Sequence, residues 1–345
     1  MSRSKIDVHA HFLSPTYRKA LLDHGYTLPD GMPRIADWSV ESHLAFMDSN
    51  GIAKSILSVS APGTSITSDQ NFNTSLAREC NDYAANVKAQ YPDRFGYFAC
   101  LPLPDTAASI AEIERVLDGP SKADGVALFS NNAGTYMGDP ILRPLLAELN
   151  ARNAIVFLHP IAPHCGASRG CRDAEAAYLE SSPLASVYPA PIFEYFFDSA
   201  RSVLDMLMAG TACRFEDVRW IISHCGGVLP SLVDRVFLFM RFGQTFTTGR
   251  GSVPVTEQQI REVLARQLWF DLAGNPVPHL IDGLLKFTGK DHLLFGTDVP
   301  WTPFQVAGGI VTDMEQGLPR CVGEDSLDMI YRDNAEKLLS SRRNT

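Results

Sequence analysis

The chain contains no apolar run that approaches the length of a membrane span, so it offers no transmembrane helix. It has no cluster of Lys and Arg that would make a phosphate-binding stripe, and its net charge is −9. Both features argue against a nucleic-acid partner. A signal peptide finds no room, because Met1-Ser2-Arg3-Ser4-Lys5 runs straight into the first β-like stretch. Nor is there a disulfide framework: the cysteines are scattered and number 7. An odd count leaves one unpaired and suits a reducing, cytoplasmic setting. Cys165 and Cys171 match none of the common zinc spacings and read as free thiols. A Gly-rich phosphate turn after the first strand is also missing, which counts against an open dinucleotide-binding sheet.

What is there is a chain of 345 residues, 45% hydrophobic and 20% charged, the balance of an ordinary globular enzyme. Strand-like and helix-like stretches alternate along it. Strands are expected at Ile6–Phe12, Ile52–Val59, Arg94–Leu101, Gly125–Phe129, Ala154–Leu158, Val218–Ser223, Leu268–Leu272 and His292–Phe295. Helices are expected at Glu41–Asn50, Phe72–Tyr91, Ala107–Leu117, Ile141–Arg152, Tyr195–Ala209, Val228–Phe242, Glu257–Arg266 and Val277–Phe287. Closing helices follow at Pro303–Glu315 and Ser326–Leu339. Eight strands separated by helices predict a single α/β domain over 1–345, a (β/α)8 TIM barrel. The Pro/Gly-rich stretch 14–38 is too long for an ordinary connection and reads as a lid or interface insertion after strand one.

In a strand, residues two apart share a face. His9 and His11 therefore project together and could share one metal ion, for which neutral imidazole is a good ligand. In a barrel, working residues lie at the C-terminal ends of strands. That rule selects His9 and His11 after strand one, His159 after strand five, His224 after strand six and Asp298 after strand eight. Asp271, within strand seven, reads as a buried structural acid. His24, His43, His164, His279 and His292 read as solvated.

Together His9-x-His11, His159-Pro160, Ser223-His224-Cys225-Gly226-Gly227, Gly296-Thr297-Asp298-x-Pro300 and the tail Asn334-Ala335-Glu336-Lys337-Leu338 resemble the amidohydrolase superfamily. The likeness is to its decarboxylase branch, which includes aminocarboxymuconate semialdehyde, γ-resorcylate and 5-carboxyvanillate decarboxylases. Gly51-Ile52-Ala53-Lys54-Ser55-Ile56-Leu57-Ser58 adds a resemblance to fungal 6-methylsalicylate decarboxylases. The resemblance implies that His9, His11, His159 and Asp298 bind one divalent metal, zinc first and manganese as the alternative. It implies that His224 stands beside the metal, and that the protein is a homodimer. Some relatives carry Glu in place of His9. Two-metal hydrolases of the superfamily usually carry a carbamylated lysine after strand four, whereas Ala127-Leu128-Phe129-Ser130-Asn131 has none. A mononuclear site follows.

The expected reaction is loss of CO2 from a small ortho-hydroxy aromatic acid, with 6-methylsalicylate giving 3-methylphenol. His224 and Asp298 are both candidates to deliver the proton. Hydrolysis of a lactone or amide by the same metal set is the alternative. A metal-bearing scaffold without catalysis is a third reading, and the intact ligand set speaks against it. Phe12, Phe193, Trp301 and Phe304 are candidate pocket walls for an aromatic ring. Arg235, Arg241 and Arg250 are candidate carboxylate partners, with Arg235 favoured.

Overall fold

The computed structural model describes residues 3–120, 122–163, 182–241 and 255–341. His164, Cys165, Cys171 and Arg250 lie outside the described residues. Eight parallel strands form one sheet in chain order: β1 Lys5–His11, β2 Ile52–Ser58, β3 Phe95–Cys100, β4 Gly125–Phe129, β5 Ile155–His159, β6 Arg219–Ile222, β7 Leu268–Asp271 and β8 Leu293–Leu294. The first and last strands also meet. Val8 N–H donates to the Phe295 carbonyl at 3.0 Å and His11 N–H to the Val299 carbonyl at 2.7 Å, beside a parallel bridge from Ala10 to Val299. This is the (β/α)8 barrel that the alternation predicts.

Most strands from β3 onward are near-continuous apolar runs because both of their faces are covered. Alternation splits each run between two cores. Ile56, Phe98, Ala127, Ile155, Phe157, Ile221, Trp269 and Leu294 form one cluster inside the barrel. Leu57, Tyr97, Val126, Val156, Leu158, Trp220 and Phe270 belong to the other, under the helices. The C-terminal helix Asn334–Ser340 adds Ala335 and Leu338 to the inner cluster. Asn334 fixes it by donating from Nδ2 to the carbonyls of Lys290 and Leu293, at the start of β8.

Local capping sets several helix starts. Ser39 and Ser42 form a reciprocal box before Val40–Ser49, and Thr256 with Gln259 does the same for Glu257–Arg266. Elsewhere the expected boundaries shift. The 14–38 insertion is not all loop: Ser14 caps a helix over Pro15–Asp23, with Pro15 at its first turn and Tyr17 and Leu21 buried. The helix expected to stop at Glu315 continues through Phe304–Val322. A two-residue hairpin, Asn131–Asn132 against Thr135–Tyr136, follows β4 without a signal strong enough to predict it. His43 and His292 are buried rather than solvated. His43 lies between barrel and helices, its Nδ1 accepting from Trp38 Nε1 at 3.0 Å, and His292 stacks on Trp269 of the inner cluster. His24 and His279 are exposed.

One irregularity decides where the site sits. Along β1, Asp7 pairs with Ser55 but Ala10 pairs with Leu57, so β1 carries one more residue than its partner. Such a bulge re-aims side chains. It lets Ile6 and Val8 join the inner core while His9 and His11, of opposite parity, also face inward above them.

The ring of Phe157 lies 4.9 Å from that of His9 and 5.6 Å from that of Phe98, so it is the floor on which the histidines stand. Phe157→Ala is expected to lower stability by about 3–5 kcal/mol, the usual cost of deleting a buried aromatic side chain. Urea denaturation checks this; an unchanged midpoint would show that the floor is not a packed layer.

Candidate metal centre

Four side chains from three points on the rim converge. His9 and His11 come from β1, His159 ends β5, and Asp298 follows β8. Their potential ligand atoms all lie within 4.8 Å of one another. Asp298 Oδ1 is 3.4 Å from His9 Nε2 and 3.1 Å from His11 Nε2. Neither contact is aligned as a hydrogen bond, so both buried Nε2 atoms have no hydrogen-bond partner.

The opposite edge of each ring is anchored. His9 Nδ1 lies 3.0 Å from Asp271 Oδ2, His11 Nδ1 lies 3.0 Å from Ser58 Oγ and 3.3 Å from its carbonyl, and His159 Nδ1 lies 2.6 Å from the Pro160 carbonyl. A proton on each Nδ1, donated outward to a carboxylate or carbonyl, leaves each Nε2 lone pair aimed inward. That is the usual arrangement of metal-ligating histidine. The orphaned nitrogens and the shared carboxylate oxygen fit one divalent cation.

The electrostatics agree. Burial works against a charged His9, yet the Asp271 and Asp298 carboxylates outweigh it and raise its pKa to about 10. Burial lowers His11 and lowers His159 well below the usual range, and for His159 the neighbouring histidines add to the effect. Burial would raise Asp298, but His9 and His11 hold it well below the usual carboxylate range. Two carboxylates around buried imidazoles favour positive charge at this point, which His9 carries as a proton here and a metal ion could carry in its place.

The backbone is built around this point. Asp7, fully buried, accepts from His9 N–H at 3.0 Å, Thr297 N–H at 3.1 Å and Thr297 Oγ1 at 2.6 Å. It thereby ties β1 to the turn that carries Asp298, whose φ is +62°. Asp271 is the buried structural acid expected, with more to hold: besides His9 it accepts from the N–H groups of His224 and Ala273, both at 3.0 Å. His224 stands beside the cluster, its ring 4.7 Å from that of His9 and stacked on Phe196. Burial, then the proximity of His9, lowers its pKa. Gly227 behind it has no room for a side chain, since a Cβ would fall 2.2 Å from the Phe196 carbonyl oxygen.

A cavity of 370 Å³ opens onto His159, His224 and Asp298. Its other walls are Pro29 and Met32 from the insertion, Ser60 and Ala61 after β2, Pro191, Ile192, Tyr195 and Phe196 from the helix Ala190–Met208, and Trp301 with Thr302, Pro303 and Val306 after β8. Trp301 is where the sequence places it, and its buried Nε1 has no hydrogen-bond partner among the described residues. Three other expected wall residues need correction. Phe12 is buried in the outer core between Trp38 and Tyr83, because on β1 it has the parity of Ala10 and not of His11. Phe193 is exposed against Tyr188 and does not line the cavity. Phe304 packs on Phe46. Arg235 is exposed and covers the ring of Phe239, and Arg241 pairs with Glu257, so neither lines the cavity. Sequence reasoning missed Tyr195 and Phe196, which sit in a run of aromatics that periodicity alone cannot divide between cavity and solvent. It also missed Pro29 and Met32.

An amidohydrolase family model matches residues 6–340. A decarboxylase of Aspergillus niger is 36% identical over 343 residues, covering 97% of this chain and 87% of that protein. A 6-methylsalicylic acid decarboxylase of Penicillium expansum is 33% identical over 303 residues, covering 87% and 86%. Among solved structures, 5-carboxyvanillate decarboxylase of Novosphingobium aromaticivorans, complexed with manganese and 4-hydroxy-3-methoxy-5-nitrobenzoic acid, superposes with a TM-score of 0.81 at 20% identity, over 98% of this chain and 96% of that one. A match that begins at Ile6 on β1 and ends at Ser340 on the last helix takes in the whole barrel, and the chain belongs to the amidohydrolase family.

Proposed function

We propose that this protein is a metal-dependent, non-oxidative decarboxylase of a small ortho-hydroxy aromatic acid. The observation that carries the reading is an apolar, aromatic-walled cavity whose inner end is the His9–His11–His159–Asp298 cluster with His224 beside it. The relatives named as decarboxylases support it. Following the fungal relative, 6-methylsalicylate is the substrate of choice, with 3-methylphenol and CO2 as products. The cavity is part of a single domain over 1–345 in which the 14–38 insertion serves as wall.

His9, His11, His159 and Asp298 would hold one divalent ion, with zinc suited to three imidazoles and a carboxylate and manganese the alternative seen in the Novosphingobium enzyme. When bound, the ion neutralises charge and polarises the oxygens of the acid. Direct loss of CO2 would leave an unstabilised aryl carbanion. The ortho hydroxyl lets electron density rise at the ring carbon, which takes a proton first. CO2 then departs and the electrons of the broken bond restore the ring. His224, whose ring stands beside the cluster, and Asp298, within it, are both candidates to deliver the proton. Trp301, Phe196 and Tyr195 orient the ring and exclude water. Exposed Val187, Tyr188, Phe193 and Phe197 support the homodimer that the resemblance implies.

Three outcomes are expected. Elemental analysis gives about one metal per chain, as for a single three- or four-ligand site; His11→Ala lowers the content, and two tightly held metals per chain would rule out the mononuclear centre. His224→Ala keeps its metal but loses about 10²–10⁴-fold in turnover, the usual contribution of a positioned acid–base group. Loss of metal in step with activity would make His224 a ligand instead. Incubation with 6-methylsalicylate releases CO2 and 3-methylphenol, which in deuterated water carries deuterium at the former carboxylate position. An analogue lacking the ortho hydroxyl fails. Hydrolysis of a lactone or amide panel with salicylates untouched would replace this reading by the hydrolase alternative.

A further inference from the structure

We propose that Asp30 is a specificity-determining residue: its carboxylate latches the 14–38 insertion across the cavity and so sets the size of the aromatic acid admitted. The choice of ligand class rests on the decarboxylase reading; the latch itself rests on geometry. Asp30 has φ +50° and ψ 33°, a left-handed conformation that residues other than glycine seldom adopt. Strained positions of this kind persist where surrounding contacts hold them. Here the contacts are polar. Asp30 Oδ2 accepts from Tyr195 Oη–H at 2.5 Å and from Ala162 N–H at 3.2 Å. Tyr195 lies on the helix Ala190–Met208 with its ring 6.0 Å from that of His159, and Ala162 is in the segment that follows His159. One carboxylate therefore joins three separate parts of the rim.

The consequence falls on the cavity. Pro29 and Met32, on either side of the latch, are wall residues, and so is Tyr195. Next to Asp30 the insertion comes within close backbone range of the helix start, since a Cβ on Gly31 would lie 3.2 Å from Pro189 Cα. The Tyr195 hydroxyl is engaged by Asp30, so the wall offers a ligand its ring and not its O–H. A wall held in this way cannot give way to a larger ring, so we infer that it favours a single substituted ring over a fused pair. Unlatched, Pro29 and Met32 can move outward.

The test uses the metal-loaded full chain and two unreactive probes, 2-nitrophenol and 1-nitro-2-naphthol, in which a nitro group stands in place of the carboxylate and no CO2 can leave. Affinities are measured by calorimetry for the wild type, Asp30→Gly and Tyr195→Phe. Glycine tolerates the +50° backbone, so Asp30→Gly removes the carboxylate without adding strain. The wild type is expected to favour the one-ring probe by about tenfold or more, and Asp30→Gly to weaken that probe and narrow the preference to roughly threefold, a change on the scale of losing one ordinary hydrogen bond. Tyr195→Phe, which keeps the Ala162 contact, falls between, with metal content unchanged in both. An unchanged size preference in the variants overturns the latch, and so does failure of the wild type to bind either probe. If Asp30→Gly does not fold, Tyr195→Phe decides alone. A shifted preference in a protein that never decarboxylates salicylates sinks the reaction and leaves the latch standing. Decarboxylation with unshifted preference does the reverse.

Discussion

The rest of the structure depends on placing several imidazoles and carboxylates in a core that would otherwise reject them. His9, His11 and Asp271 are fully buried, and His159 nearly so. Burying polar groups is costly unless each has a partner. The outer nitrogens have theirs in Asp271, Ser58 and the Pro160 carbonyl. The inner nitrogens have a common focus at Asp298, where a cation could be held. The scaffold around them answers the same constraint. Asp7 ties β1 to the Thr297 turn, Asp271 ties His9 to the His224 backbone, and an inner apolar layer beneath leaves the rings no other direction to face.

Much of this was legible in the sequence. Strand ends are marked by where apolar runs stop, so the barrel filter finds His159, His224 and Asp298 without knowledge of any contact. His-x-His identifies a shared face whatever the strand's pairing. The bulge in β1 was not legible, because an extra residue leaves no trace in composition; it appears only when Ala10 is seen opposite Leu57. The misplacing of Phe12 has a simpler origin. Nearness to His11 in the chain suggests a rim residue, whereas a neighbour in a strand points to the other face. Buried His43 and His292 escaped notice for a related reason: one imidazole can satisfy a nitrogen locally, through Trp38 or the Leu268 carbonyl, and become core.

The insertion shows what sequence reasoning can and cannot do with a long connection. Its length alone marks it as functional. The helix Pro15–Asp23 could have been found from Ser14 and Pro15, a recognised start signal. The contact of Asp30 with Tyr195 could not, since the two lie 165 residues apart and neither stands in a distinctive motif.

Chemistry and selectivity are therefore carried by different parts of the molecule. The ligand cluster sits on strand ends, where each ring is fixed by backbone ladders and buried acids. The cavity wall is drawn from the insertion, the helix beginning at Ala190 and the segment after β8. A change at Pro29, Met32 or Ile192 alters the shape offered to a ring without touching a group bonded to His9 or Asp298. A change at Asp7 or Asp271 does the opposite, because each accepts from several backbone donors at the centre and none on the wall. Tyr195 is where the two meet, since its ring lies against His159 while its hydroxyl is held by the insertion. Any coupling between the size of the acid and the geometry of the histidine–aspartate cluster has its most direct route through that side chain.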